Sequence, residues 1–373
     1  MIVLAGIYYP EGYKPMFERR SKMSRRVFTI IVAVIMLLTT SVWRSTQKEQ
    51  SANAAAVQTS TNVALRNDEP VAQSAAQAIL GKTYDLAPER SAESRYYCME
   101  TTVVYLAEDG TRTVPVTVRL LLMCVPAGQS AQDGFRYTCV KLTILKEKEP
   151  EVHIPALNGW SYLFKRSDDG SFSHGGLVYG IDHGRFQGLK DDNGNALPPE
   201  GAYGMYNMFI DFHAFCNQFA ERTMSKKGIQ DLTGIGQKIV HESAFSEPTM
   251  QLSGNIAGGS FFKNGEVTLE FKGLSVVDGV ACALVGFDSG DSSFKLAVNP
   301  TPDMEIKTVG AAHYWGDLHI ELDSGWVRKV AMGELTVSKV TLGSQKHIRS
   351  VMERSTTIET MDKDEFDKLV GTH

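Results

Sequence analysis

The sequence lacks the short motifs that carry much of enzyme chemistry. It has no Gly-x-Ser-x-Gly nucleophile elbow, no His-Glu-x-x-His zinc motif and no glycine-rich loop of the kind that holds phosphates. Its cysteines form no Cys-x-x-Cys pair and show no metal-ligand spacing, so a zinc site is not expected. We therefore predict no cofactor, no metal and no catalytic residue, and we expect a protein that is not an enzyme.

Cysteine itself is scarce. The five positions are Cys98, Cys124, Cys139, Cys216 and Cys282. Four of them lie in apolar, strand-like segments and one on an apolar helix face, where an unpaired cysteine behaves as a small hydrophobic residue. A hairpin that turns at Asp109-Gly110 places Cys98 opposite Leu121, so a bridge from Cys98 to Cys124 needs a bulge. We predict free thiols.

The chain has no excess of positive charge. It carries 38 Lys and Arg against 43 Asp and Glu, a net charge of −5. Without residues 1–42 the balance is 32 basic against 41 acidic residues, about −9. Such a surface is poorly suited to nucleic acid or anionic lipid as the main partner, because both carry dense negative charge.

A long apolar run near the amino terminus, Val27 to Val42, follows a basic cluster. It is shorter than the roughly 20 residues that a spanning helix needs. Ala52-Asn53-Ala54 offers the small-x-small cleavage site of a secretory signal. The charged segment from Arg44 to Glu49 is longer than such signals usually have, so an uncleaved anchor that contacts the membrane through residues 27–42 is the alternative. In both cases we expect the rest of the chain to be exported across the cytoplasmic membrane, into the periplasm or beyond.

The export route and the start of the chain stay open. Ser24 to Phe28 resembles the twin-arginine signal, which would imply export of an already folded protein; the general secretory route is the other possibility. Met23 begins a complete signal, so residues 1–22 can reflect the choice of start codon.

Composition divides the chain into a signal or anchor, a tether, one β-rich domain and a tail. Polar, aperiodic composition predicts a flexible tether, and a proline-to-glycine span predicts a short helix at the start of the domain. The predicted segments are residues 1–42 (signal or anchor), 43–68 (tether), 69–360 (domain) and 361–373 (terminal helix and tail). Within the domain we expect an N-terminal sheet half (95–146), irregular loops (150–204), a helix (205–223) and a C-terminal meander (261–357).

Alternation of apolar and polar residues predicts the strands. Val267, Leu269 and Phe271 point to one side of a strand, and Leu318, Ile320 and Leu322 repeat the pattern in another. Glycine-containing turns between such runs favour antiparallel hairpins over a parallel sheet. The predicted fold class is mainly β (α+β): an antiparallel curved sheet or half-barrel meander with one long amphipathic helix inserted and short terminal helices.

The inserted helix is indicated by apolar residues that recur three and four apart. They are Met205, Met208, Phe209, Phe212, Phe215, Cys216 and Phe219. Asp211 and His213 are two apart and do not share a helix face, so we expect them to be solvated. A second, weaker helix is possible over residues 228–240, where Gly234 and Gly236 interrupt the pattern.

The strand faces and the helix stripe together suggest an apolar ligand cavity. Its candidate lining is Val267, Leu269, Phe271, Leu318, Ile320, Leu322, Phe209, Phe212, Phe215 and Phe219. The same residues would equally form an ordinary core, and the two interpretations are compatible if the sheet curves enough. A polar site for a hydrolase is the alternative, and it requires two or more of four side chains to converge: His174, Asp182, His183 and His241.

The layout resembles that of the lipoprotein-carrier-like β half-barrels of bacterial envelopes. The segment from Gly316 to Gly325 also looks like the strand pair that ends many uncharacterised exported β-rich bacterial proteins. The resemblance covers residues 69–357 in layout, and it implies a curved sheet and helices that enclose an apolar cavity for acyl chains. It carries no catalytic residue to this chain.

Three functions follow as hypotheses. The first is an exported, non-enzymatic envelope protein that binds or carries a lipid, another apolar ligand or a segment of an envelope protein. The second is a membrane-tethered structural or interaction module with a filled core. The third is a hydrolase that uses His and Asp side chains from the loops over residues 150–204.

Overall fold

The structure is a computed structural model, which describes residues 81–371 apart from 108, 130–132, 168–171, 175–176, 198, 226, 248–258, 302–303 and 343–345. The expected signal or anchor, the tether and the short helix over residues 69–80 lie outside the described residues. Among the residues that are described, no helix is long and apolar enough to span a bilayer.

The described residues form fifteen strands. In chain order they are β1 (Arg95–Leu106), β2 (Val116–Pro126), β3 (Phe135–Lys146), β4 (Val152–His153), β5 (Ser161–Phe164), β6 (Ser173–His174), β7 (Leu177–Val178), β8 (Lys238–Val240), β9 (Phe261–Lys263), β10 (Thr268–Val277), β11 (Val280–Asp288), β12 (Ser292–Thr301), β13 (Met304–Glu321), β14 (Val327–Leu342) and β15 (Lys346–Met361).

Two α-helices accompany the strands in the part of the chain that the structure describes. Helix α1 (Pro199–His213) continues into a π-helical turn (Ala214–Gln218), and helix α2 (Lys363–Gly371) ends the described chain. Three short 3-10 turns cover Pro155–Leu157, His183–Phe186 and Ile229–Asp231. The expected inserted helix is present with different bounds: it begins at Pro199, a residue well suited to a first helical position, and its π-helical turn ends at Gln218 and not at residue 223.

Thirteen strands form one antiparallel sheet in the order β4-β3-β2-β1-β15-β14-β13-β11-β10-β8, with β5 beside β3, and β12 and β9 beyond β13. Within the described residues the sheet does not close on itself. The predicted mainly β, antiparallel fold with an inserted helix is confirmed.

The two sequence halves meet where β1 pairs with β15, from Tyr96 opposite Met361 to Leu106 opposite Val351. The hairpin of β1 and β2 has the expected register, with Cys98 opposite Leu121. All five cysteines are free, as predicted.

Strand β13 is long enough to pair with two strands on the same edge. Strand β11 pairs with its second half and β12 with its first half, so β11 and β12 follow each other along β13. The chain bends between them at Gly290, whose φ of 56° lies in the left-handed region. A side chain there would also meet the backbone nitrogen of Glu266 at 2.8 Å, so glycine is required.

Helix α1 is buried on both sides. Phe212 contacts Tyr97 on β1 with a ring separation of 5.0 Å, whereas Phe209 contacts Trp160 from the irregular loops at 5.5 Å. The expectation that Asp211 and His213 are solvated is therefore wrong: both side chains are fully buried. Asp211 is buried because it faces Arg354 of β15 on the sheet side, whereas His213 is covered by Tyr162 of β5, whose hydroxyl lies 2.8 Å from its Nε2.

The weaker helix expected over residues 228–240 is also wrong. The chain forms a single 3-10 turn (Ile229–Asp231) and then the edge strand β8, which pairs with β10. Gly236 has a φ of 86°, which a continuous helix cannot accommodate. At the carboxyl end the expected terminal helix is present, and Phe366 of α2 packs against Tyr96 at 5.1 Å.

Candidate functional site

The ten side chains considered for a ligand cavity lie in one hydrophobic core. Nine are buried and Leu322 is partly buried against them. Phe215 meets Phe287 of β11 at 5.1 Å between ring centres, and Phe271 meets Tyr84 at 5.4 Å. These side chains pack against one another between α1 and the sheet, and a ligand cavity among them stays a prediction.

A buried ion-pair cluster joins α1 to the sheet beside this core. Arg354 of β15 donates through Nε to Glu334 of β14 at 2.5 Å and through Nη1 to Asp211 of α1. The three side chains are at most 4% exposed. Burial raises the pKa of Glu334 although Arg354 opposes the shift. Burial also disfavours the charge of Arg354, but the two carboxylates outweigh it and raise its pKa.

The cluster is only partly satisfied. Oδ1 of Asp211, Oε1 of Glu334 and Nη2 of Arg354 are buried without a hydrogen-bond partner among the described residues. The two carboxylates bind different nitrogens of one guanidinium, and the cluster has an excess of one negative charge when all three groups are ionised. Its role in the fold is to hold the helix to the sheet.

A second buried polar network surrounds the π-helical turn. Arg90 donates through Nη1 to Oδ1 of Asn217 at 2.5 Å, so the amide nitrogen of Asn217 faces Nδ1 of His213, also at 2.5 Å. Nδ1 is then an acceptor, and the proton of the neutral imidazole lies on Nε2, which is 2.8 Å from the hydroxyl of Tyr162. Burial, together with the charge of Arg90, holds the pKa of His213 well below its usual value. The imidazole is therefore neutral and serves as a fixed structural link.

The four residues considered for a hydrolase site lie in three different segments of the chain. His174 lies in β6, Asp182 caps the 3-10 turn by accepting from the backbone nitrogen of Gly184 at 2.9 Å, and His183 begins that turn. His241 is buried; its Nδ1 is 2.8 Å from the hydroxyl of Ser243. None of the contacts described for His241 involves Asp182 or His183. In the described part of the chain, no group of three or more His, Cys, Asp or Glu side chains could hold a metal ion.

The face of β13, β14 and β15 opposite α1 carries apolar side chains that the alternation does not predict. We call this the outer face. Val309, Leu335 and Val337 on it are 53%, 40% and 51% exposed, whereas the side chains between them on β14, such as Glu334 and Thr336, are buried. These exposed apolar residues lie at positions that would normally be polar.

Strand register aligns part of this apolar surface across four strands. Ala311 of β13 is opposite Val337 of β14, which is opposite Val351 of β15, which is opposite Leu106 of β1. We call these four residues the outer row. Because cross-strand neighbours stand about 5 Å apart, the outer row is a continuous apolar band across the sheet.

A cleft opens where the outer row meets β1. Its volume is about 690 Å³, and its lining is Leu106, Ala107, Lys339, His347, Arg349 and Val351. We call it the outer cleft. Three of its residues are apolar or small and three are basic, and its size lies in the range typical of ligand sites.

The basic residues of the outer cleft lie on the same face, in the two cross-strand rows next to the outer row. Lys339 of β14 is directly opposite Arg349 of β15, and His347 lies two residues before Arg349. All three are exposed. No carboxylate within the described part of the chain forms an ion pair with Lys339 or Arg349. The sequence contained a sign of this site, since Leu335 and Val337 break the polar alternation of β14, but only the register places Lys339 opposite Arg349.

The fold is thus that of a mainly β protein with one open antiparallel sheet and an inserted helix, and its open cleft lies on the outer face. No family model matches the chain, and no curated protein has a significantly similar sequence.

Proposed function

We propose that this protein is an exported, non-enzymatic binding module of the cell envelope, which binds an amphiphilic ligand with an acidic head in the outer cleft. The observation that carries the proposal is the composition of that cleft: apolar Leu106 and Val351 stand beside Lys339, Arg349 and His347 in one open space of about 690 Å³. An apolar tail would contact the outer row, and an acidic head would contact the basic groups.

The placement of the other polar groups supports a binding role over a catalytic one. Asp211 and Glu334 are engaged by Arg354 in the buried cluster, and His213 is engaged by Tyr162 and Asn217. The residues described as lining the cleft include no carboxylate. Cationic groups next to an apolar wall are suited to holding an amphiphile, because each end of the ligand meets a compatible surface.

Export is proposed from the sequence of the amino-terminal region, with its basic cluster and its apolar run from Val27 to Val42. Cleavage after this run would release the module, and an uncleaved run would keep it at the membrane. Both arrangements are compatible with a module that binds amphiphiles in the cell envelope.

Binding of a fluorescent fatty acid to the full chain tests the proposal. The variant Val351→Asp places a charge in the apolar wall of the cleft, and we expect it to weaken binding at least about tenfold, the cost of placing an unpaired charge against an apolar tail. The matched control is Val276→Asp, because Val276 is a 72% exposed valine of β10 outside the cleft. Equal binding by both variants, or no binding by the unaltered chain, would show that the outer cleft is not the ligand site.

A further inference from the structure

The pairing of Lys339 with Arg349 works against the stability of the sheet. Like charges directly opposite each other on neighbouring antiparallel strands repel, since their β-carbons are only about 5 Å apart. The nearest acidic side chain on the same face of β15 is Glu353, and it binds Arg112 at 2.5 Å. The two cations of the outer cleft therefore lack a counter-charge among the described residues.

His347 contributes a third nitrogen-containing side chain to the outer cleft. Its Nδ1 is 3.0 Å from the hydroxyl of Thr341, its cross-strand neighbour. This contact fixes the ring and leaves Nε2 for another partner. The outer cleft thus offers an ammonium group, a guanidinium group and an imidazole from two adjacent strands.

We infer that the outer cleft is a binding site for a phosphate monoester group carried on an apolar ligand. Two full positive charges and an imidazole exceed what one carboxylate can use, because a carboxylate has a single charge and is satisfied by one bidentate arginine. A phosphate monoester carries a charge of about −1.5 to −2 and three acceptor oxygens, which matches three donor groups. This inference rests on the proposed function, and it specifies the head group of the ligand. The net negative charge of the chain disfavours anionic lipid over the surface as a whole, but the lining of the outer cleft is locally basic.

The apolar side of the cleft specifies where the rest of the ligand would lie. Leu106 and Val351 line the cleft, and Val337 continues the outer row next to Val351. A ligand with its phosphate against Lys339 and Arg349 would therefore extend its tail along the outer row. The free phosphate ion would use the same basic groups without the tail contacts.

Isothermal titration calorimetry on the full chain tests the inference with three probes: inorganic phosphate, a soluble short-chain phosphatidic acid, and a fatty acid of the same chain length. We expect phosphatidic acid to bind at least about tenfold more tightly than the fatty acid. A single additional charge-assisted hydrogen bond contributes more binding free energy than a tenfold change in affinity requires. Inorganic phosphate should bind more weakly than phosphatidic acid.

Variants assign the phosphate contacts. Lys339→Gln and Arg349→Gln should each weaken phosphatidic acid binding about tenfold or more. Lys329→Gln is the control, because Lys329 is also on the outer face of β14 but pairs with Glu359 at 2.6 Å. Val351→Asp should weaken phosphatidic acid much more than inorganic phosphate.

The outcomes separate the inference from the proposed function. If the fatty acid binds as tightly as phosphatidic acid and neither Lys339→Gln nor Arg349→Gln matters, the phosphate site is wrong and the amphiphile site stands. If neither amphiphile binds but inorganic phosphate does, and its binding depends on Lys339 and Arg349, the proposed function and the apolar ligand are wrong, and only the phosphate contacts of the inference stand. Binding of phosphatidic acid that both variants leave unchanged overturns the inference.

Discussion

Arg354 of β15 and Asp211 of α1 form a buried ion pair that fixes the inserted helix to the sheet. Glu334, opposite Arg354 on β14, binds the same guanidinium. The cluster lies between the large core under α1 and a small second core made of Phe262, Phe294, Ala312 and Met352. It thus interrupts the apolar inner face of the sheet.

Loss of Arg354 should be severely destabilising. Arg354→Met leaves two buried carboxylates without a cation, and we expect the free energy of unfolding to fall by about 3–5 kcal/mol. Urea denaturation of the full chain measures this. The control is Lys363→Gln, which removes the exposed pair with Asp367 and should leave the free energy of unfolding nearly unchanged.

The triple variant Asp211→Asn, Glu334→Gln, Arg354→Met removes all three charges together. We expect it to be more stable than Arg354→Met alone, since no uncompensated charge remains buried. A triple variant that is no more stable than Arg354→Met would mean that uncompensated buried charges are not the cause of the lower stability of Arg354→Met.

The buried histidines predict a loss of stability in acid. Burial lowers the pKa of His241 to about 4, from an ordinary 6.5, although Glu242 opposes the shift. Between these two values the unfolded chain binds a proton that the folded chain does not, so the stability is present above pH 6.5 and is lost as the pH falls toward 4. Through His241 the free energy of unfolding falls by about 3 kcal/mol between pH 6.5 and pH 4.

His213 adds to the same acid loss, because its pKa is also lowered by burial. Glu334 acts in the opposite direction, since its raised pKa makes the folded chain bind a proton more readily as the pH falls. Denaturant titrations at several pH values measure the combined effect of His241, His213 and Glu334 on the free energy of unfolding. His241→Gln should flatten the decline below pH 6.5, and an unchanged decline would show that His241 does not titrate as the structure requires.

The close contact of β13 with β14 at Gly316 provides a test of the sheet. A β-carbon on Gly316 would lie 2.0 Å from the carbonyl oxygen of Ala331 and 2.7 Å from the ring of Phe287. Gly316→Ala should therefore reduce the free energy of unfolding by about 1–3 kcal/mol, the usual cost of overpacking. Gly371→Ala is the control, since a β-carbon there meets nothing within 4 Å. Equal stability of the two variants would contradict the register of β13 and β14.

Local pattern accounts for much of the fold. The alternation around Val267 and Leu318 predicts their strands, and the turn at Asp109-Gly110 predicts the register that places Cys98 opposite Leu121. The pairing of β1 with β15 could not be predicted in this way, since it joins segments some 250 residues apart in the sequence and no local signal encodes such a contact. It is also this pairing that builds the outer cleft.

The environments of the polar residues could not be predicted from the local sequence either. Asp211 looks like a solvated helix residue until the structure brings Arg354 of β15 to it. Lys339 and Arg349 each look like ordinary residues on a wet strand face. Their significance depends on being opposite each other, and only the register of β14 and β15 provides that.

The central claim is that the ligand binds on the outer face and not in the interior. Methyl NMR of the full chain with labelled Leu and Val, recorded while a short-chain phosphatidic acid is added, tests it most directly. We predict chemical-shift changes at Leu106, Val337 and Val351, with Leu269 and Leu318 unchanged. Changes concentrated at Leu269 and Leu318, with Leu106 and Val351 unaffected, would contradict the account and place the ligand in the core beneath α1.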